Sequence, residues 1–408
     1  MNELILVRYG DLLLKGRNLK LFVRTANERI KEKLASFPVR YDFRHDRAYI
    51  DINQVYADEI ICRLQKVPGL YSFSLLSHCE IDYDQIAELA IGLIQEKTGG
   101  KTTTFKVETK RADKTIPETS MEISQIVAKK ILRSLHFLIV DVHTPELTLM
   151  IEVRKDGAYL FIDQLMGLGG FPIPMSGKAV SLLSGGIDSP VATFCALKKG
   201  IEVDCIHFES TPLTPIESAQ KTIDLVKVLA NYSINETMRL HLVPFVGIHQ
   251  LILEKVPEAY QITIMRRMML RIADMIRKKN KATAIFTGDS IGQVASQTLE
   301  SLATIQHAIT GLVIRPLANF DKLEIMSIAK KIGTLEISNR PFNDCCSVYV
   351  PKNPVIRPDT LTAIQMEAIM ETKALLEKAV SETIVLDITP KTTITLLNGA
   401  LTVSEAME

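Results

Sequence analysis

Apolar residues recur along this chain at two spacings, and the switches between them predict its elements. Short apolar or alternating runs suited to strands fall at 4–8, 70–76 and 103–109, with further strands near 39–44 and 47–52. Helical spacing covers about 19–35, 55–65 and 83–97. Thr119 followed by Glu122 offers a capping box to a helix on which Met121, Ile123, Ile126, Val127 and Ile131 keep a helical period. Strands at 146–154 and 159–163 come next, joined by a turn at Asp156 and Gly157. From 179 the pattern becomes strand, loop, helix, repeated. Its apolar runs lie at 179–183, 201–208 and 283–286, and its helical stretches at about 190–199, 216–231, 260–279 and 321–332.

That order divides the chain. Residues 1–76 read β-α-β-β-α-β, which resembles a small ferredoxin-like sandwich. Residues 77–165 make a second α/β unit. Residues 164–178 hold four Gly and two Pro, and 166–178 reads as a linker. Strands alternating with helices from 179 to 408 predict a doubly wound parallel sheet, whose ligands bind beyond the carboxyl ends of the strands. The fold class is thus α/β and α+β, multidomain.

A length of 408 residues fits two or three domains. With 47% apolar and 23% charged residues the chain is globular, which excludes a disordered, collagen-like or disulfide-scaffold protein. The net charge of +1 steers neither nucleic acid nor membrane, but it is unevenly spread. Residues 1–47 carry 11 Lys/Arg against 6 Asp/Glu, 100–135 carry 8 against 4, and 262–283 carry 7 against 1, whereas the tail from 355 carries 4 against 8. The three basic segments predict either one phosphate-binding face or separate solvated helix faces. Cys62, Cys79, Cys195, Cys205, Cys345 and Cys346 show no framework spacing. A reducing cytoplasm is expected, and any functional cysteine is expected to act chemically. No run of about 18 uncharged apolar residues and no leader-like start are seen, so no membrane association is expected.

The strongest chemical signal stands where the strand at 179–183 ends. Residues 181–190 read SLLSGGIDSP. Two glycines permit a tight turn, Ser189 can cap the following helix, and Pro190 suits its first turn. Main-chain N–H groups of Ser184, Gly185, Gly186 and Ser189, with the positive helix end behind them, suit a phosphate. The loop is not a Walker loop, nor do the nearby glycines make a dinucleotide fingerprint. Asp188 beside phosphates reads as a metal-holding or positioning residue, or as a helix N-terminal charge worth under about 1 kcal/mol. Adjacent Cys345 and Cys346 do not fit a periodic core face, and no zinc-ligand spacing surrounds them. A dedicated protein metal centre is not expected.

SGGIDS is similar to the S-G-G-x-D-S pyrophosphate loop of the ATP pyrophosphatase (PP-loop) enzymes. Further segments resemble the 4-thiouridine synthetase (ThiI) family: RYGDLLLKGRN at 8–18, KRADKTIPETSMEI at 110–123, IMRRMMLRIA at 264–273, TGDSIGQVASQTL at 287–299 and RPFNDCCSVYVP at 340–351. The resemblance implies a THUMP RNA-binding domain at 77–165, with Lys110, Arg111 and Lys114 toward RNA, and a PP-loop domain at 179–408. It implies that ATP adenylates O4 of the uridine at position 8 of tRNA and that a cysteine persulfide then replaces this oxygen with sulfur. ATP and Mg²⁺ are the implied small molecules. Leu182, Leu183, His207, Phe208, Arg266, Gly288 and Gln297 join Ser184, Gly185, Gly186, Asp188 and Ser189 around the nucleotide, with Arg266 or Arg267 left open as the phosphate contact. Cys346 matches the family's sulfur carrier, with Cys345 a one-residue alternative. No Cys follows Cys346, so the first sulfur acceptor is expected to be this pair or a separate protein, since the rhodanese domain of some members has no counterpart. Partners implied are tRNA and a cysteine desulfurase or other persulfide donor, with a homodimer as a further expectation. A role in sulfur supply for the thiamine thiazole is tied to the rhodanese domain in members that have one. The alternatives are a PP-loop enzyme of the 2-thiouridine or lysidine type, or a tRNA-binding module with an inactive ATP site.

Overall fold

The structure, a computed structural model, describes residues 4–52, 56–342 and 353–396. The chain folds as two compact units, Met1–Gly170 and Phe171–Glu408.

The first unit contains strands β1 (Leu4–Arg8), β2 (Arg40–Phe43), β3 (Arg47–Asp51), β4 (Ser72–Cys79), β5 (Thr103–Arg111), β6 (Leu138–Val140), β7 (Leu147–Arg154), β8 (Gly157–Phe161) and β9 (Leu165–Met166). Its helices are α1 (Leu19–Lys33), α2 (Ala57–Leu64), α3 (Tyr83–Thr98) and α4 (Ser120–Ser134). Among the described residues the strands pair in the order β2-β3-β1-β4-β8-β7-β5-β6, with β9 beside β4. Strand β4 joins the two halves. Its start pairs antiparallel with β1, and Ser77–Cys79 pair antiparallel with β8. Ile86, Val127 and Ile131 of α3 and α4 pack on Phe105, Leu149, Ile151 and Leu160 of the sheet. On the opposite pleat Leu6, Tyr49, Leu76, Tyr159 and Phe161 form a second apolar cluster.

The capping box forms as expected: Thr119 Oγ1 accepts from Glu122 N, and Glu122 Oε2 accepts from Thr119 N at 2.7 Å. The β7–β8 turn sits one residue earlier than the pattern suggests. Arg154 pairs with Gly157, which leaves Lys155 and Asp156 as the turn. The run at 166–178 is shared between units. Leu165–Met166 pair with β4, whereas Phe171 N–H bonds Lys198 O.

The second unit contains β10 (Lys178–Leu182), β11 (Glu202–Glu209), β12 (Met238–Pro244), β13 (Ala284–Phe286), β14 (Leu312–Ile314) and β15 (Ile384–Ile388). Helices α5 (Asp188–Lys198), α6 (Ile216–Ala230), α7 (Val246–Lys255), α8 (Gln261–Lys279), α9 (Leu299–Gln306), α10 (Lys322–Ile332), α11 (Leu335–Ser338), α12 (Thr360–Met370) and α13 (Lys373–Ser381) connect and cover them. The strand order is β14-β13-β10-β11-β12-β15. All neighbours are parallel except β15, which runs antiparallel on β12. The sheet is doubly wound, with an antiparallel edge strand added. Val180, Ile206 and Val243 face a core built with α7, α8, α12 and α13. Residues of opposite parity face α5 and α6: Ser181 bonds Thr193 at 2.8 Å and His207 bonds Thr222. The chain progresses outward from β10 to β12, then returns to place β13 on the other side of β10. That reversal opens a crevice at the carboxyl ends of β10, β11 and β13. No helix among the described residues is long and apolar enough to cross a membrane.

Candidate active site

β10 ends at Leu182, and residues 183–187 turn into α5, whose N-cap is Ile187. Ser189 therefore lies inside the helix and is not the cap expected from sequence. Its hydroxyl turns back on the loop: Ser184 N–H donates to Ser189 Oγ at 2.9 Å, and Ser189 Oγ donates to Ser184 O at 3.1 Å. Gly186 N–H in turn donates to Ser184 Oγ at 3.2 Å. The two serines close the loop into a cup and leave the start of α5 with no side-chain cap. Uncapped N–H groups at a helix start suit an anion. Neither Gly185 nor Gly186 has a positive φ. Gly288 is required by contact: a Cβ there would sit 2.7 Å from Ser189 N. What approaches Gly288 is the first turn of α5.

A cleft of about 460 Å³ opens over this loop. Leu182, Leu183, Ser184, Gly186, Asp188, Ser189, His207, Phe208, Arg266, Gly288 and Gln297 all line it; Gly185 does not. His207 is buried, with Nδ1 3.0 Å from Leu183 O and 3.2 Å from Thr222 Oγ1. A carbonyl can only accept, so Nδ1 carries the proton. Gln297 Oε1 is buried and has no partner among the described residues. Asp188 is held by two groups, Lys322 Nζ at 2.6 Å from Oδ1 and Gln293 Nε2 at 2.8 Å from Oδ2.

Asp289 sits under the cleft at the end of β13. Burial alone would push its carboxyl up, but Arg266, the Thr287 hydroxyl and Arg315 overcome this and hold it below the usual carboxylate range. Thr287 donates to it at 2.7 Å and Arg315 Nε at 3.2 Å. Arg266 bonds Asp289 and also Ser296 O, at 2.8 Å. Arg267 points away and is fully buried, with Nε 2.6 Å from Glu367 Oε1. The geometry therefore separates the two arginines: Arg266 faces the cleft and Arg267 ties α8 to α12. Five of the seven cations in the basic run at 262–283 pair with acids: Arg266 with Asp289, Arg267 and Arg271 with Glu367, and Arg277 and Lys278, each at 2.7 Å, with Asp274. Two of these acids lie outside the window in which the charges were counted. Met265 and Met268 are core, while Met269 lines the cleft.

Cys345 and Cys346 lie outside the described residues. Burial pushes the thiols of Cys195 and Cys205 up, which leaves neither poised as a thiolate. No cluster of three metal-ligating side chains occurs among the described residues. In the first unit Lys110 and Lys114 are exposed. Arg111 is engaged, donating to Ile116 O and Glu118 O at 2.7 Å each and so shaping the loop between β5 and α4.

Sequence reasoning missed Asp289, Gln293, Arg315 and Lys322. Asp289 and Arg315 were within reach, since polar residues just after an apolar run mark a strand's carboxyl end. Lys322 carries no such signal.

Three family models match: the ThiI ferredoxin-like domain over residues 4–74, the THUMP domain over 80–163 and the thiamine biosynthesis protein (ThiI) over 174–373. The chain is 45% identical over 407 residues to a probable tRNA sulfurtransferase of Acholeplasma laidlawii, covering 100% of this chain and 98% of the relative. The chain belongs to the ThiI family of tRNA sulfurtransferases. A second ThiI-family relative, the probable tRNA sulfurtransferase of Geobacillus kaustophilus, is 43% identical over 94% of this chain and 96% of its own length. Among solved structures, a 4-thiouridine synthetase in complex with RNA and bound ATP matches with a TM-score of 0.84 and 35% identity, over 95% of this chain and all of that one. The ThiI family thus accounts for all three pieces of the chain read from the sequence pattern.

Proposed function

We propose that this chain adenylates the uridine at position 8 of tRNA with ATP and replaces O4 with persulfide sulfur, making 4-thiouridine. The observation that carries the proposal is the uncapped, serine-closed loop 184–189 at the switch point of the sheet, opening onto a cleft of nucleotide size.

In this reading the loop holds the pyrophosphate end of ATP. Phe208 and the wall around Leu182 and Leu183 take the adenine, and Gln297 Oε1 offers an acceptor to its exocyclic amine. Arg266 is fixed by Asp289 at the cleft wall and meets phosphate. Asp188 would hold Mg²⁺ beside phosphates that supply the other oxygens; bound there, the ion would supply positive charge to the departing pyrophosphate. Lys322, which holds Asp188, brings a second cation to the same place. Uridine O4 attacks the α-phosphorus, the bond to the bridging oxygen breaks, pyrophosphate leaves and the N3 proton is lost. The outer sulfur of a persulfide on Cys346 then attacks C4, the C4–O bond breaks and AMP departs. A second thiol, Cys345 or a partner's, cuts the remaining S–S bond and ends in a disulfide with Cys346. A thiol reductant must reopen it.

Lys110 and Lys114 are the RNA contacts, with Arg111 shaping their loop. The sulfur donor, a cysteine desulfurase or another persulfide carrier, and a homodimeric assembly belong to the same proposal and rest on the family resemblance. So does a cytoplasmic location, where thiols and persulfides persist. The test is pyrophosphate release with unmodified tRNA. Release that requires tRNA and accompanies 4-thiouridine supports the proposal; release without dependence on tRNA contradicts it.

A further inference from the structure

The segment that follows β13 serves both ends of the cleft. Gln293 Nε2 donates to Asp188 at 2.8 Å beside the phosphate-type loop. Four positions on, Gln297 lines the cleft, and its Oε1 is buried with no partner among the described residues. The start of the segment is fixed to the chain beyond β14: Ser290 Oγ donates to Phe320 O at 3.0 Å and Ile291 N–H to Ala318 O at 3.2 Å. Its far end is the short turn Ala295–Gln297. Ser301 Oγ donates to Ala295 O there at 3.2 Å, and Arg266 Nη1 donates to Ser296 O at 2.8 Å. The other terminal nitrogen of Arg266, Nη2, donates to Asp289 Oδ1. One side chain of α8 thus staples Asp289 to Ser296, seven positions further along the chain.

A guanidinium suits this task because its donors leave a rigid plane in fixed directions, whereas an ammonium is a point charge on a flexible stem. The orientation of that plane is set from the carboxylate side. Asp289 is 4% exposed. Its Oδ1 accepts from Arg266, and its Oδ2 accepts from the Thr287 hydroxyl at 2.7 Å and from Arg315 Nε at 3.2 Å. Both oxygens are engaged by protein donors, so this carboxylate is placed to orient a cation and not to take up a proton or a metal ion. One carboxylate against two guanidiniums leaves one positive charge in surplus. Arg266 lines the nucleotide cleft and Arg315 does not, so the surplus is presented on the cleft side.

We propose that Asp289 is a positioning residue for base selection: by orienting Arg266 on Ser296 O it fixes the turn that presents Gln297 to the purine. This rests on the reading of the cleft as an ATP site. The experiment uses the full chain with an unmodified tRNA transcript, Mg²⁺ and either ATP or GTP, and reads kcat and KM for pyrophosphate release. Asp289→Asn should raise KM for ATP by about tenfold or more, the scale of one lost hydrogen bond to a charged group. It should also lower the preference for ATP over GTP in kcat/KM by about tenfold on the same scale. A variant that is merely less folded loses kcat and keeps both KM and preference. Arg266→Lys keeps the charge and loses the planar fork, so it should lower the preference as well. If Asp289 acts through Arg266, the double variant should be no less selective than Arg266→Lys alone. An unchanged preference in Asp289→Asn, or additive losses in the double variant, overturns the proposal. Should Asp289→Asn not fold, the same change combined with Arg315→Met removes one acid and one cation from the buried cluster and is read in the same way. The parent enzyme separates the two claims. If it releases no pyrophosphate from ATP, or uses GTP equally well, the ATP reading fails and this proposal with it; if it prefers ATP and Asp289→Asn prefers ATP to the same degree, only the positioning role fails.

Discussion

In the proposed reaction Asp188 is the side chain on which the chemistry turns. It sits at the first position of α5, where the pyrophosphate of that proposal would also lie, and it is held by Lys322 and Gln293. Asp188→Asn keeps the shape and removes the charge. Pyrophosphate release should fall by about 10²-fold or more, the scale of losing one electrostatic contact in a transition state, while tRNA affinity stays as it was. A variant that releases pyrophosphate normally at saturating ATP and Mg²⁺ would show that Asp188 is only a helix-end charge. Gly288 makes the opposite kind of prediction. A methyl at 2.7 Å from Ser189 N has nowhere to go, so Gly288→Ala should destabilise the second unit by about 1–3 kcal/mol and weaken ATP binding, read by denaturant melts and nucleotide titration. The loop was legible because its chemistry is contiguous, six residues in a row. Lys322 was not, because it reaches Asp188 across 134 positions of sequence, and nothing local marks a lysine that will meet a carboxylate that far away.

At the scale of elements, the join between α8 and α12 decides how well the floor of the cleft is held. Glu367 pairs with Arg267 and Arg271, and Arg267 has no exposure. Burial alone would raise the Glu367 carboxyl, but the two arginines hold it below the usual range. A depressed folded-state pKa means stability that is fully present above the ordinary glutamate range and is lost as pH falls through the lower, folded value. Acid unfolding of the second unit should therefore steepen below the usual glutamate range, and Glu367→Gln should flatten that limb. At neutral pH the same variant leaves Arg267 buried and unpaired, which should cost about 3–5 kcal/mol. Replacing both partners by Met should recover much of the loss. A Glu367→Gln variant as stable as the parent at pH 7 would show that the pair contributes nothing. This join was not visible in the sequence. The apolar residues of α12, TLTAIQMEAIM, are spread around the helix and keep no amphipathic stripe. Three-residue strands such as β6 and β14 are too short to show a period, and β12 interrupts its apolar run with Arg239 and His241. The long helices α1, α4, α6 and α8 and the strand-end loop, by contrast, follow the pattern closely, because each buries one clear face.

For the molecule as a whole, RNA affinity and chemistry are assigned to different units. Lys110 and Lys114 are exposed on the first unit. Replacing both with Ala should weaken tRNA binding and lower the slope of log affinity against log salt by about 1–2, without changing ATP affinity. A salt slope equal to the parent's would remove these lysines from the interface. Charge counting along the sequence pointed equally to the run at 262–283, but it overstated the free charge there, because two of the acids that pair with it, Asp289 and Glu367, come from elsewhere in the chain. The division into a β-α-β-β-α-β piece, a second α/β piece and a parallel-sheet unit was readable from periodicity alone, whereas the pairing of the first two into one sheet through β4 depends on long-range register. The measurement that bears most directly on the account is nucleoside analysis of tRNA from cells lacking the gene. The account predicts that 4-thiouridine disappears from position 8, returns with the parent gene, and stays absent with Asp188→Asn; undiminished 4-thiouridine in the deletion strain would contradict it.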